Sequence, residues 1–262
     1  MDEKNKYPKF NKMKTLLIIK RTILHLTLIL EVLTVNYGCN PSIATLIAKG
    51  NTKKAIAQIE KGKDPNEYNA YSKKTPLKIA IVQNDVSLVK WLLENGADPN
   101  FHEPISSALQ VKNLDIVKLL IEKGADINST YTYKTYSRLL NYTSFEKFSV
   151  TGEAIEGTPL IEALCLNLNN NFIEFLIENG ANINVKDSFG RTPLVFAVEN
   201  NRTELVVYLV NLGANKSIRY KYISLTMQHP LFKDVAVEYS WKTIIDAAKS
   251  TGNPELIKLL SK

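Results

Sequence analysis

Apolar residues recur along most of the chain in clusters spaced by three and four positions, the spacing that lines one side of a helix. Four clusters are near copies: Leu88, Val89, Leu92 and Leu93; Ile116, Val117, Leu119 and Leu120; Phe172, Ile173, Leu176 and Ile177; Leu205, Val206, Leu209 and Val210. A polar break precedes each (Asn84-Asp85, Asn113, Asn169 to Asn171, Asn200-Asn201), and a glycine follows each (Gly96, Gly124, Gly180, Gly213). Ahead of every break a shorter apolar run opens with a proline, at Pro76, Pro104, Pro159 and Pro193. Proline and glycine are separated by 20, 20, 21 and 20 residues. The pattern predicts two helices per unit. Threonine before proline suits a helix start, because the hydroxyl can accept from free N–H groups and proline at the first helical position loses no needed donor. In the first such helix Leu77, Ala80 and Val82 are expected to face inward, and glycine is expected to end each second helix in a left-handed conformation.

The runs TPLKIA, EPISSA, TPLIEA and TPLVFA, with GKDPN, GADPN, GADIN, GANIN and GANKS after the second helices, resemble the ankyrin repeat family. The resemblance covers Pro41 to Lys262 and implies an all-α repeat solenoid, in which helix-turn-helix units stack and project hairpin fingers. A single unit of this size cannot hide its own apolar side, so neighbours must lean on one another. Pro41–Asn66 reads as a first unit without T-P-L, and Trp241–Lys262 as a last one with Thr243-Ile244-Ile245 in its place. That makes six. Both ends are more polar, as an open stack requires for solubility. Asp187 and Gly190, in DSFGRTP, match the turn of the family's finger and are expected to be structural.

The fingers depart from the period. Asn66 to Pro76 is 10 residues and Asn184 to Pro193 is 9, but Asn100 to Pro104 is only 4. Two others are expanded, at residues 129–157 and 218–242. Long connections inside a compact domain are functional or disordered, and these are rich in tyrosine, which offers large contact area on few rotors. The candidate partner-binding residues are therefore Tyr131, Tyr133, Tyr136, Tyr220 and Tyr222, extended by Phe101, His102 and Phe189 on the other fingers. The competing expectation is that these aromatics fold back over the stack.

Residues 1–39 have a different character. Seven basic residues (Lys4, Lys6, Lys9, Lys12, Lys14, Lys20, Arg21) and three acidic ones (Asp2, Glu3, Glu31) precede Asn40, followed by an apolar stretch from Thr22 to Val35 and then Gly38-Cys39. That order resembles a bacterial lipoprotein signal, which implies acylation of Cys39 and a protein held at the cell envelope. Asn36 and the polar Glu31 and His25 depart from the signal's pattern, and Met13 is a second candidate start. The alternatives are an amphipathic helix packed on the first unit, in a protein that is cytosolic or delivered into a host cell, or a membrane span, for which the apolar run is short.

Chemistry has little to stand on. The net charge of +7 leaves 26 basic against 23 acidic residues after Cys39, a thin basis for nucleic-acid binding despite Arg219 and Lys221 among tyrosines. Two cysteines exclude a disulfide framework, and Cys165 reads as a buried, inert thiol. His25, His102 and His229 have no metal-ligand spacing, no phosphate-binding loop is present, and His229 with Asp234 lacks the serine elbow of a hydrolase. The expectation is a monomeric, non-catalytic module for one protein partner, with no cofactor or metal; an immunity-type inhibitor is one concrete version, and a His229 hydrolase the weak alternative.

Overall fold

The computed structural model describes residues 41–69, 74–134, 154–227 and 235–261, with side chains throughout except at 133–134, 154–155, 223–227 and 235–239. Six helix pairs follow one another among these residues: α1 (Ile43–Ala48) and α2 (Thr52–Glu60), α3 (Pro76–Val82) and α4 (Val86–Glu94), α5 (Pro104–Gln110) and α6 (Leu114–Glu122), α7 (Pro159–Cys165) and α8 (Asn170–Glu178), α9 (Pro193–Glu199) and α10 (Thr203–Asn211), α11 (Ile244–Thr251) and α12 (Pro254–Leu260). Pro76, Pro104, Pro159 and Pro193 all occupy the first turn of their helices, as the spacing predicts. Gly62, Gly96, Gly124, Gly180 and Gly213 all have φ between 85° and 94°, so the chain leaves each second helix through a conformation that a Cβ would disfavour.

The first helices pack in an unbroken series from α1 to α11, across both expanded fingers. Ala80, Ala108, Ala163 and Ala197 occupy one position in four successive first helices and are fully buried. A methyl group there lets neighbouring helices approach closely. Leu92, Ile116, Leu120, Ile173, Leu176 and Leu209 close the other side of one continuous core. At the amino end α2 buries only Ala55 and Ile59.

Four local expectations change. Val82 is 50% exposed, because Ile79 and Ile81 take the inward positions of α3. Thr75 caps α3 by accepting from Lys78 N, but the Thr158 and Thr192 hydroxyls make no capping bond. The last helix pair begins at Ile244, where Thr243 and Asp246 form a reciprocal capping box, and Trp241 belongs to the strand before it. Cys165 is half-buried rather than sealed in the core.

A ladder of asparagines joins the units along one side. Asn66 Nδ2 donates to Gly96 O (2.9 Å), while its Oδ1 accepts from Asp98 N (2.7 Å). Asn100 repeats this with Gly124 and Asp126, and Asn128 with Gly180 and Asn182. Asn184 accepts from Asn215 N. The Asn128 step links residues 52 and 54 apart in sequence, so the first expanded finger leaves the stack's register intact. Asn128→Ala is expected to lower stability by about 1 kcal/mol, the ordinary net value of solvent-accessible hydrogen bonds. Urea denaturation reads it, and an unchanged midpoint would show that the ladder decorates the stack without holding it.

Both expanded fingers are antiparallel hairpins at their base. Strands β1 (Tyr131–Lys134) and β2 (Ala154–Gly157) pair from Tyr131↔Gly157 to Lys134↔Ala154. Strands β3 (Arg219–Met227) and β4 (Val235–Thr243) pair from Arg219↔Thr243 to Met227↔Val235. Lys221 N donates to Phe189 O at 2.8 Å, which ties β3 to the finger of the preceding unit.

Candidate partner-binding edge

In three fingers the position seven residues after the helix-ending glycine points into the stack. In the ordinary finger it holds Asp187, whose side chain has no exposed surface and whose carboxylate accepts from Phe189 N, Arg191 N and Arg191 Nε. The Arg191 guanidinium completes an ion pair at 2.7 Å and lies 4.3 Å from the Phe196 ring centre. In the two expanded fingers tyrosines fall at that position. Tyr131 is buried and donates its hydroxyl to Glu162 Oε2 at 2.7 Å; Tyr220 is 1% exposed and donates to Glu199 Oε1 at 2.8 Å. The two rings anchor their hairpins to the stack. They are corrections to the expected contact surface, because a ring facing the core cannot meet a partner.

Glu162 sits at the centre of a small buried network. Its Oε1 accepts from Ser106 Oγ (3.0 Å) and Gln110 Nε2 (3.2 Å), both on α5, while Oε2 takes the Tyr131 hydroxyl. Burial raises its pKa above the usual carboxylate value, the three hydrogen bonds oppose that rise, and the charge of Glu103 adds to it. Burial likewise raises Glu199, against the pull of Arg191, and pushes the Tyr220 hydroxyl far above the ordinary phenol value. These groups tie finger to helix.

The residues that do face water lie one and two places earlier in the fingers. Tyr68 and His102 both come six residues after their glycines, and their rings stack with centres 4.2 Å apart and planes 12° from parallel. Phe101 meets both edge-on, at 6.4 Å from Tyr68 and 4.3 Å from His102. Tyr68 is 39% and Phe101 38% exposed. The clipped finger creates the cluster: with only three residues between Asn100 and Pro104, His102 and Glu103 both take left-handed backbone (φ 60° and 58°) and hold the two rings outward. An open depression of about 430 Å³ lies beside it, bounded by Glu103, Pro104, Asp126 and Tyr131. Tyr68 was absent from the sequence-based set, although its register with His102 could have placed it there.

On the other fingers, Phe189 is half-buried near Arg191, and Tyr222 is half-buried under Lys242 Nζ, 3.3 Å from the ring centre. Trp241, which sequence reading took as the start of the last unit, is 65% exposed on β4. The Tyr133 backbone pairs with Ile155, but its side chain lies outside the described residues, as do Tyr136, Cys39, His229 and the whole of the expected leader. Among the described residues no cluster of His, Cys, Asp and Glu could hold a metal ion, and no helix is long and apolar enough to cross a membrane.

The family description "Ankyrin repeats (3 copies)" matches residues 35–131 and 137–220, more than half of the sequence. The chain belongs to the ankyrin repeat family. The match begins inside the segment expected as a leader. Curated ankyrin repeat proteins of viruses are similar to it. FPV230 of fowlpox virus (strain NVSL) is 31% identical over 170 residues, 58% of this chain and 89% of that protein. FPV219 of the same virus is 34% identical over 152 residues, covering 58% of this chain but 30% of the relative. R96 of Acanthamoeba polyphaga mimivirus is 26% identical over 155 residues, covering 59% and 12%. Ankyrin repeats are generally protein-binding modules and typically non-catalytic, which agrees with a site made of aromatic rings and anchored fingers.

Proposed function

We propose that this ankyrin repeat chain captures one protein partner through its finger edge, as a monomer and without catalysis. The observation that carries this reading is the solvent-facing group Tyr68, Phe101 and His102, held outward by a shortened finger in left-handed conformation. Two large rings more than a third exposed and already in mutual contact offer apolar area with little rotamer entropy left to lose on binding. The double variant Tyr68→Ala, Phe101→Ala is expected to weaken capture at least about tenfold, with helical circular dichroism unchanged. Capture at wild-type strength by this variant would remove the cluster from the binding site.

The place of action is a separate part of the proposal. A basic, then apolar, then small-residue order before Cys39 supports an exported, lipid-anchored protein at a cell envelope, where occluding a harmful partner would make it an immunity-type inhibitor. The viral origin of the relatives supports the second reading, an ankyrin scaffold or effector that acts in the cytosol or after delivery to a host. Mass spectrometry and detergent partitioning separate them. A mature chain beginning at diacylated Cys39 supports the anchor, and an intact amino terminus removes it.

A further inference from the structure

From the outer face of the second expanded finger we infer that the partner presents an acidic segment, which docks around Trp241. This rests on the protein-capture reading and names the chemistry of the partner. Residues two apart on a strand share a face, and directly paired residues on antiparallel strands lie side by side on one face. Arg219 and Lys221 on β3 therefore share a face with Trp241, which pairs with Lys221 across the hairpin. The opposite face carries Tyr220 and Tyr222, the first buried against Glu199 and the second capped by Lys242. Among its described side chains the hairpin thus sorts its residues: Tyr220, Tyr222 and Lys242 on the face toward the stack, Arg219, Lys221 and Trp241 on the other. Arg219 and Lys221 are exposed, and Trp241 at 65% is the most exposed large apolar side chain among the described residues.

Charge decides which partner fits. The 216–242 stretch holds five basic residues (Lys216, Arg219, Lys221, Lys233, Lys242) and two acidic ones (Asp234, Glu238). The bond from Lys221 N to Phe189 O brings the neighbouring finger alongside, with its exposed Lys186; that finger's Asp187 is already spent on Arg191. Among the described residues Arg219 and Lys186 form no ion pair. An indole flanked by cations matches a segment that alternates apolar side chains with carboxylates: the apolar side chain covers the ring and the carboxylates meet the guanidinium and ammonium groups. Polynucleotide binding would call for a longer basic track, and a membrane surface for more than one exposed ring; among the described side chains of this face neither is present.

The test uses the full chain and a labelled short peptide of alternating glutamate and leucine, followed by fluorescence anisotropy. Binding is expected, together with a shift in tryptophan emission, and it should weaken as salt rises. Trp241→Ala and the double change Arg219→Glu, Lys221→Glu should each weaken it by about tenfold or more, while Val82→Ala, at an exposed position of α3 outside the binding edge, leaves it unchanged. The three side chains face water, so circular dichroism and melting should stay as in the parent; Trp241→Ala alone carries the test if the charge reversal loosens the hairpin. Equal binding by a lysine–leucine peptide, tighter binding of a single-stranded oligonucleotide or of phosphatidylserine vesicles, or full affinity in Trp241→Ala overturns the inference. If partner capture through Tyr68 and Phe101 persists while the acidic peptide does not bind, the acidic assignment falls and the capture reading stands.

Discussion

Arg191→Ala is expected to destabilise the protein by about 3–5 kcal/mol, the largest single effect of any finger residue, because it leaves a buried carboxylate without its counter-charge. The Asp187 side chain has no exposed surface, and three of its hydrogen bonds come from the turn it organises, one of them from the Arg191 side chain. Removing the guanidinium also strips its cover from the Phe196 ring. Damage should not stop at the turn. Phe189 O receives the Lys221 N–H, and Gly190 lies 3.7 Å, measured from where its Cβ would be, from Arg219 O, so this finger is the seat of the β3–β4 hairpin. Chemical denaturation monitored by circular dichroism and by tryptophan emission gives the loss. The double variant Asp187→Asn, Arg191→Ala should recover part of it, since it removes the stranded charge; no recovery would show that packing rather than charge sets the cost.

Glu162→Ala is expected to cost about 2–3 kcal/mol, by leaving the buried hydroxyls of Ser106 and Tyr131 without their acceptor. The same residue confers a pH dependence whose sign follows from burial. Its pKa is raised in the folded protein, so between the unfolded value near 4.5 and the higher folded value the native state holds the extra proton. Its contribution to stability is then fully present below the unfolded value and declines as pH rises through the folded one. Glu162→Gln keeps the shape and cannot ionise. Relative to that variant, the parent should lose stability as pH climbs above 4.5, and parallel curves would show that folding does not shift the Glu162 carboxyl at all. Because Tyr131 holds the base of the first expanded finger to α7 through this carboxyl, the loss should appear together with increased amide exchange in β1 and β2.

Much of the architecture was readable in one dimension. A proline that opens a helix and a glycine that ends its partner act through their own backbone preferences, so Pro76, Pro104, Pro159 and Pro193 mark equivalent entrances wherever the rest of the chain goes. Finger lengths are likewise counted along the chain, and the clipped finger at Phe101 and His102 did present aromatic rings to solvent. The tyrosine assignments divided for a physical reason. Composition says that Tyr131 and Tyr220 suit recognition, but the direction of a finger side chain is set by its distance from the preceding glycine. In these two fingers the seventh place points inward, as it does at Asp187 in the ordinary finger, whereas Glu103 at the same count in the clipped finger is exposed.

Sequence by itself thus determined the unit, the number of units and the places where extra chain leaves the stack, because each depends on local backbone chemistry and on apolar spacing within one helix pair. Tertiary structure alone decided which aromatics remain available. Tyr68, Phe101 and His102 meet only because successive fingers lie side by side, and Trp241 joins Arg219 and Lys221 only through a cross-strand register that alternation along one strand does not specify. Contacts between residues 20 or more apart depend on how whole units lean together, and no property of the single positions encodes them.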